Sequence, residues 1–432
     1  MPKHTPPSVC FYFQVHQPYR LRDLRITDIG HIGPESYFDE DKNRSVFRKV
    51  AEKCYLPANA TLLRMLKADK NFRVAFSLSG VFLDQCREYG PDVLESFRAL
   101  AETGQVEFLG ETYYHSLSVL FSLEEFCEQV EKHAAVIRAC FGVTPKVFRN
   151  TELVYSNEIA EVVRLLGFRA MLAEGADRVL HGRTPNVVYA PPSFILPLQW
   201  RRTIARHAVH PAPVQTMRTL LKNYQLSDDI AFRFGNAHRS GTPLLAETFA
   251  EWLRVSPGKT VNLFMDYETF GEHQWADTGI FGFMEALPHQ LKQREIRTLT
   301  PSETAQSYSH GKLPELDAHS PVSWADTERD LSAWRGNHLQ EAALAGIYGL
   351  EKLVRKSKSP VLMDIWRRLQ TSDHFYYLCT KYWADGDVHK YFSPYESPYE
   401  AFRRYSHALA DFRRVLEDRL APKSKRSRRA SR

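Results

Sequence analysis

The 432-residue chain is 43% hydrophobic and 25% charged, a composition typical of a soluble globular protein large enough for more than one structural unit. Its net charge of +6 comes from residues 421–432, which contain six basic residues and no acid; the rest has 51 basic and 51 acidic residues. Because the body carries no net positive charge, no specific nucleic-acid partner is expected. Residues 421–432 are predicted to be a disordered basic tail, with a tether to RNA or membrane as the less favoured role.

The amino terminus and the cysteines favour a cytoplasmic protein. Residues 1–8 contain no apolar signal region, and no stretch reaches the ~18 apolar residues of a transmembrane helix, so no membrane partner is expected. The six cysteines show no C-x-x-C spacing and are predicted to be reduced and mostly buried. Composition leaves open whether the protein forms a homo-oligomer.

The first two thirds of the chain alternate between apolar strand-like runs and helical patterns. The predicted strands are residues 9–15, 72–78, 106–109, 146–149, 168–172, 195–200, 230–234 and 260–265. Seven or eight strands that alternate with helices predict either a parallel barrel or an open doubly wound sheet. Their nearly continuous apolar character is typical of strands covered by helices.

The strand pattern ends near residue 311, and three helices are predicted over residues 331–356, 360–380 and 400–420. We therefore divide the chain into an α/β domain (1–310), a helical domain (311–420) and the tail (421–432).

Four of the predicted strands end in polar clusters. Strand one runs into His16, strand three carries Glu107, strand four ends before Glu152, and the last ends in Asp266 and Glu268. The carboxyl ends of strands are where active sites form in barrels and open sheets. Period-two alternation places Asp266 and Glu268 on one face of their strand.

Crowded carboxylates raise one another's pKa, so one of them can remain protonated at neutral pH. Glycoside cleavage needs this combination of one protonated and one ionised carboxyl group. On chemistry alone, glycoside cleavage and metal binding both remain open. A zinc-dependent polysaccharide deacetylase would need an H-x-x-x-H pair, which the sequence lacks.

Five short regions resemble glycoside hydrolase family 57, specifically its α-amylase-like branch, and the resemblance extends over about residues 9 to 400. They are His16-Gln17-Pro18, Gly-Gln-Val-Glu-Phe-Leu at 104–109, Phe-Arg-Asn-Thr-Glu-Leu at 148–153, Met-Asp-Tyr-Glu-Thr-Phe-Gly-Glu-His at 265–273 and Ala-Trp-Arg-Gly-Asn at 333–337. The third and fourth regions are the specific ones, since a bare His-Gln-Pro is common.

The resemblance implies an incomplete TIM-like (β/α)7 barrel followed by an all-helical bundle domain that completes the cleft. It implies a retaining mechanism without a metal or other cofactor. The residue roles that the resemblance implies are Glu152 as the nucleophile, Asp266 as the general acid/base, and His16, Glu107 and Glu268 around the −1 sugar. Further substrate-binding candidates, in these regions or just beside them, are His273, Trp275, Trp334 and Asn337. For Trp324, contact with the cleft and core packing are equally favoured.

The expected function is therefore an α-amylase-type hydrolase that acts on α-1,4-glucans or maltooligosaccharides. A 4-α-glucanotransferase or a glycogen branching enzyme would use the same two carboxylates, because only the acceptor differs. A catalytically silent glycan-binding homologue is the alternative from another class.

Overall fold

The computed structural model describes residues 5–235, 244–308, 311–381 and 388–421. Within these residues the chain divides into two compact units. The first, which we call the barrel unit, contains residues 5–17, 45–113 and 123–324. The second, the helical unit, contains residues 18–44, 114–122 and 325–421. Of the predicted basic tail, only residue 421 lies within the described residues.

The barrel unit is built on a single sheet of seven parallel strands, which confirms the predicted (β/α)7 architecture. In chain order, β1 to β7 are Ser8–Val15, Val74–Leu78, Val106–Phe108, Val147–Arg149, Ala170–Glu174, Arg218–Lys222 and Thr260–Asp266. Their order across the sheet is β3-β2-β1-β7-β6-β5-β4.

The two edge strands, β3 and β4, meet at one isolated bridge between Gly110 and Phe148. The Gly110 N–H donates to Val147 O at 2.9 Å, and the Arg149 N–H donates to Gly110 O at 2.8 Å. This short contact curls the sheet into an incomplete barrel.

Twelve α-helices lie between residues 40 and 307 in the described part of the chain. In order, α1 to α12 are Glu40–Val50, Leu56–Ala68, Gly80–Tyr89, Pro91–Ala101, Leu123–Phe141, Asn157–Leu165, Asp177–Leu180, Leu198–Arg206, Tyr224–Ala231, Ala246–Val255, Ile280–Gln293 and Pro301–Ser307. A π-helical segment, Ala51–Tyr55, joins α1 to α2.

Two of the predicted strands are wrong and one real strand escaped prediction. Residues 195–200 lead into helix α8, and the side chain of Ile195 is 90% exposed, because an apolar run need not be buried. Residues 230–234 include the end of helix α9. The missed strand, β6, begins with Arg218 and ends with Lys222. These two charged residues leave an apolar run too short to be recognised as a strand.

Alternation along the strands separates two layers of side chains. Phe11 and Phe13 pack in the large apolar layer shared with the surrounding helices, whereas Tyr12 joins the smaller cluster that fills the barrel interior. Helix α12 contributes Ala305 to that interior cluster. Tyr308, just after α12, donates to Ser8 Oγ at the start of β1 (3.1 Å), so this helix covers the amino ends of the strands. The carboxyl ends of the strands are not covered by α12, and the polar residues described below lie there.

The helical unit contains the second set of helices. The first two of the three helices predicted there are subdivided, whereas the third is confirmed as one helix, α19 (Pro398–Leu420). In order, α13 to α19 are Ser332–Arg335, His338–Tyr348, Glu351–Ser357, Pro360–Arg368, Ser372–Tyr376, Val388–Phe392 and Pro398–Leu420. The longest, α19, packs against α14 and α15.

The two units interleave along the chain, so a linear division at residue 310 does not describe them. Residues 18–44 and 114–122, which follow β1 and β3, belong to the helical unit. Residues 311–324 belong to the barrel unit because they bond to the chain that follows β4. Val322 and Tyr155 exchange two backbone hydrogen bonds of 2.9 and 3.0 Å, and Asn157 Nδ2 donates to Asp317 Oδ1 at 2.7 Å.

No helix in the described ranges is both long and apolar enough to cross a membrane. All six cysteines are buried and none forms a disulfide, as the scattered spacing predicted.

Candidate active site

Glu152, the expected nucleophile, lies on a strained turn directly after β4. Its backbone is left-handed (φ 58°, ψ 24°), and Leu153 is also left-handed (φ 52°). Two consecutive non-glycine residues in this region are unusual, and such strain concentrates at functional sites. Asn150 Nδ2 donates to Val154 O at 2.9 Å across the turn, and the hydroxyls of Thr151 and Thr112 are hydrogen-bonded at 2.7 Å. The turn is therefore held by its own side chains.

Trp324 makes two hydrogen bonds to this one glutamate. Its indole Nε1–H donates to Glu152 Oε2 at 2.8 Å, and its backbone N–H donates to Glu152 O at 3.3 Å. The bridge between Val322 and Tyr155 brings Trp324 to this position. The carboxylate and the backbone of Glu152 are thus fixed by the same residue.

Two buried cations lie over the indole of Trp324. The Arg149 guanidinium carbon is 4.8 Å from the ring centroid, and Lys222 Nζ is 5.4 Å from it, both within the range of a cation–π interaction. Lys222 also bonds to Asp228 at 3.1 Å and lies 4.0 Å from Glu174. Arg149 is completely buried, and none of its three guanidinium nitrogens has a hydrogen-bond partner among the described residues. Burying a cation without hydrogen-bond partners is costly, which makes Arg149 a candidate for a role in the site.

Asp266, the expected acid/base, is the last residue of β7, and Glu268 lies two residues further on. Tyr55 donates to Glu268 Oε1, and Gln17 Nε2 donates to the Tyr55 hydroxyl at 3.1 Å. Tyr55 comes from the π-helical segment, a type of distortion frequent at functional sites. Burial and the nearby charge of Asp266 raise the pKa of Glu268 to about 8. The Asp266–Glu268 pair therefore retains one proton at neutral pH.

Tyr12 lies where the charged groups of several strands converge. Burial raises its pKa, and the charges of Arg149, Glu111 and Asp266 act on it as well. Its hydroxyl donates to Gln14 Oε1 at 2.7 Å, and Gln14 is the register partner of Asp266 across β1 and β7. Tyr12, in the barrel interior, thus lies within electrostatic reach of both Arg149 at the end of β4 and Asp266 at the end of β7.

His16 follows β1 and is partly buried. Its Nδ1 lies 2.7 Å from Ser79 Oγ, which also caps helix α3 by accepting from the Phe82 N–H. The structure thus holds the imidazole near the carboxyl end of β1. Its contact with a sugar remains a prediction.

The sequence profile described as Glycosyl hydrolase family 57 matches residues 10–317, most of the barrel unit and of the chain as a whole. The chain belongs to glycosyl hydrolase family 57. A Methanocaldococcus jannaschii protein, provisionally named an alpha-amylase, is 38% identical over 423 residues, which are 96% of this chain and 85% of that protein.

Two solved structures share the fold at low sequence identity. The GH57 branching enzyme of Thermococcus kodakaraensis superimposes with a TM-score of 0.63 and 15% identity, over 95% of this chain and 90% of that one. The 4-alpha-glucanotransferase of Thermococcus litoralis gives 0.54 and 18% identity, over 86% of this chain but only 50% of that one. At these identities the two structures support the family 57 fold alone.

Glu107, expected from the family 57 resemblance to line the sugar site, has other partners in this structure. Its Oε2 accepts from the Ser302 backbone N–H at 2.9 Å, and its Oε1 accepts from the Ser302 hydroxyl. Ser302 is in the first turn of α12, the helix that covers the amino ends of the strands. Burial raises the pKa of Glu107. The structure thus gives Glu107 an anchoring role at the start of α12, and its expected sugar contact remains to be tested.

His273 and Trp275, both beyond β7, differ in their surroundings. Burial lowers the pKa of His273 to about 4, so the imidazole is neutral at neutral pH. Trp275 is 59% exposed, with Lys53 Nζ 5.1 Å from its ring centroid. An exposed indole can stack on a sugar ring, and substrate contact by these two residues remains a prediction.

Trp334 and Asn337, the candidates from the fifth region, serve the structure of the helical unit. Trp334 is 1% exposed, and its ring packs 6.0 Å from that of Tyr376. Asn337 caps α14: its Oδ1 accepts from the Gln340 N–H at 3.0 Å and its Nδ2 donates to Leu378 O at 2.8 Å. Burial and capping account for both side chains, and the expected substrate contact of each remains to be tested.

Sequence analysis did not assign Arg149, Glu174 or Lys222 to the site, and it left the role of Trp324 open. The first three residues end strands β4, β5 and β6. The strand-end argument could have found Arg149 from the predicted fourth strand, and Glu174 and Lys222 if the fifth and sixth strands had been bounded correctly. The bond between Trp324 and Glu152 could not be predicted from local patterns, because it joins residues 172 positions apart.

Proposed function

We propose that this chain is a retaining glycoside hydrolase that cleaves α-1,4-glucosidic bonds, with Glu152 as nucleophile and Asp266 as general acid/base. The observation that carries the proposal is the contrast between the two carboxyl groups. Glu152 accepts a fixed indole hydrogen bond, which favours its ionised form, whereas Asp266 belongs to a pair that retains a proton.

The proposed reaction has two steps. Asp266 donates a proton to the glycosidic oxygen as Glu152 attacks C1, so that the leaving sugar departs and a β-linked glucosyl-enzyme forms. Asp266 then removes a proton from water, which attacks C1 and releases Glu152. Glu268, buried beside Asp266, helps to keep a proton on the pair.

The substrate class rests on what the relatives are named for. The Methanocaldococcus jannaschii relative carries the name of an amylase, and the solved relatives are a branching enzyme and a glucanotransferase. The names of the amylase and of the 4-alpha-glucanotransferase refer to α-glucans, so we propose an α-1,4-glucan or a maltooligosaccharide as substrate. The experiment below identifies the acceptor as water or a sugar hydroxyl.

A defined maltooligosaccharide such as maltoheptaose provides the test. We expect new reducing ends in step with the appearance of shorter products. Longer and shorter products at constant reducing power would instead indicate a 4-α-glucanotransferase. New α-1,6 linkages in amylose, detected after debranching, would indicate a branching enzyme.

Two isosteric variants test whether the chain is an enzyme at all. Glu152→Gln removes the nucleophile and Asp266→Asn the acid/base, so each should lower kcat by at least about 1,000-fold, in line with the loss of other essential catalytic groups. Glu158→Gln is the matched control, because Glu158 is an exposed acid in the first turn of α6. If Glu152→Gln and Asp266→Asn both retain wild-type rates, the catalytic proposal fails; if the wild type binds glucans without converting them, the chain is a silent glycan-binding homologue.

A further inference from the structure

We infer that Trp324 is a positioning residue for the nucleophile, acting through its two hydrogen bonds to Glu152. The inference rests on the proposed function, because it assigns Trp324 a role in the same site. It adds that a residue outside the five short regions orients the attacking carboxylate and keeps it ionised.

The geometry restrains Glu152 at both ends of the residue. The indole bond at 2.8 Å fixes Oε2, while the backbone bond at 3.3 Å fixes the carbonyl of a residue in a left-handed conformation. Holding a nucleophile in a near-attack geometry contributes to the rate of the chemical step and not to ground-state binding.

The chemistry of the donor matters as much as its position. An indole N–H donates but cannot accept, and it does not titrate in the accessible pH range. It therefore favours the ionised form of the carboxylate that it faces, without competing as a proton source. A hydroxyl in its place, which can both donate and accept, could exchange roles with the carboxyl group.

The two cations account for the fixed orientation of the ring. Arg149 and Lys222 both lie over the Trp324 indole, and Lys222 is itself anchored by Asp228. Because Arg149 is fully buried without a hydrogen-bond partner among the described residues, the π face of Trp324 is its identified contact. Positive charge over the ring also strengthens the N–H as a donor toward Glu152.

Trp324→Phe keeps an aromatic ring for the cations and removes the indole donor. We expect kcat to fall about 10- to 100-fold, the range for losing a hydrogen bond to a charged group, with KM changed less than about 3-fold. The acidic limb of the kcat/KM profile should move to higher pH, because the ionised carboxylate has lost a stabilising donor.

Trp366→Phe is the matched control. Trp366 is buried in the helical unit, and its Nε1 donates to Ile347 O at the same 2.8 Å. This control loses an equivalent indole hydrogen bond to a neutral carbonyl, so it should lower the melting temperature but leave kcat and the pH profile unchanged. If both variants lower kcat alike with no shift of the acidic limb, Trp324 has only a structural role and the inference is overturned.

A substrate with an activated leaving group separates the nucleophile from the acid. Fluoride departs from α-maltosyl fluoride without protonation, so Asp266→Asn should regain the rate of the first step on this substrate. Trp324→Phe should remain slow on it, since nucleophilic attack is still required. A Trp324→Phe rate restored to the wild-type value on the fluoride would contradict a role in positioning the nucleophile.

Trp324→His covers the case in which the Phe variant does not fold. The imidazole retains a ring N–H, so a kcat above that of Trp324→Phe, or above about 1% of wild type if the Phe variant is unfolded, supports the donor role. A lower value in a folded protein overturns it. The failure of one proposal can be distinguished from the failure of the other. An active Glu152→Gln variant would contradict the proposed function. An inactive Glu152→Gln variant together with a fully active Trp324→Phe variant would contradict only the role of Trp324.

Discussion

Glu268 should make the stability of this protein fall as the pH rises above neutrality. The side chain is 7% exposed, and burial together with the Asp266 charge raises its pKa from 4.5 to about 8. The folded chain therefore holds this proton more tightly than the unfolded chain does. The corresponding stabilisation is fully present below about pH 4.5 and is lost as the pH rises through about 8.

The size of the effect follows from the shift. Between about pH 6.5 and about pH 8, the difference in proton binding at this one group amounts to roughly 1.6 kcal/mol of unfolding free energy. Glu268→Gln does not titrate and keeps an oxygen that can accept from Tyr55. The variant should therefore lack this part of the pH dependence and gain stability relative to the wild type as the pH rises.

Two histidines with shifted pKa values also make the stability of the protein depend on pH. The pKa of His273 is lowered to about 4, so His273 contributes stability that is lost below about pH 6.5, which opposes Glu268 there. The pKa of His389 is raised to about 9, mainly by Asp326 against the effect of burial, so its contribution also declines above about pH 6.5. Both histidines are present in both proteins, and their effects cancel in the difference.

Urea unfolding followed by tryptophan fluorescence at several pH values measures this difference. The wild-type free energy of unfolding minus that of Glu268→Gln should decrease by about 1.6 kcal/mol over the window, with Glu158→Gln as an exposed control that shows no such change. A difference that stays constant within about 0.5 kcal/mol across the window would refute the buried, proton-retaining carboxyl group.

Three further substitutions have expected outcomes. Arg149→Met should raise the free energy of unfolding by on the order of 1 kcal/mol, because it removes a buried cation, yet lower kcat; a loss of stability in chemical denaturation would contradict this. Glu107→Ala should destabilise by about 1–3 kcal/mol through the two orphaned donors of Ser302, and unchanged stability would contradict this; a large increase in KM for maltoheptaose would in addition support the expected sugar contact. Asn337→Ala should cost about 1 kcal/mol through loss of the α14 cap, with unchanged glucan kinetics; altered kinetics at full stability would assign it to substrate.

Local patterns were sufficient for most of the barrel. Six of the seven strands follow buried apolar runs bounded by polar or turn residues, and the runs at β1 and β7 were bounded within a residue. The sixth strand, Arg218–Lys222, escaped because its two charged ends break the apolar run. Residues 195–200 form the converse case, an apolar run that is exposed and leads into helix α8. In both cases the structure depends on which residues are buried, and an apolar run by itself does not show this.

The candidate site divides in a similar way. The positions of Glu152, Asp266 and Glu268 at strand ends could be predicted because parallel strands bring their carboxyl ends to one edge. The partners of Glu107 and Asn337 could not be predicted, since each side chain bonds to a segment that local periodicity does not place beside it.

The sequence by itself thus determined the class of fold, the family and the two carboxylates proposed for catalysis, because strand periodicity and short motifs are properties of neighbouring residues. Only the tertiary structure decided how the nucleophile is held. Trp324 reaches Glu152 across 172 positions of the chain, and the cations over its ring come from two different strands. Such contacts depend on how distant segments pack, and packing is settled by the folded chain as a whole.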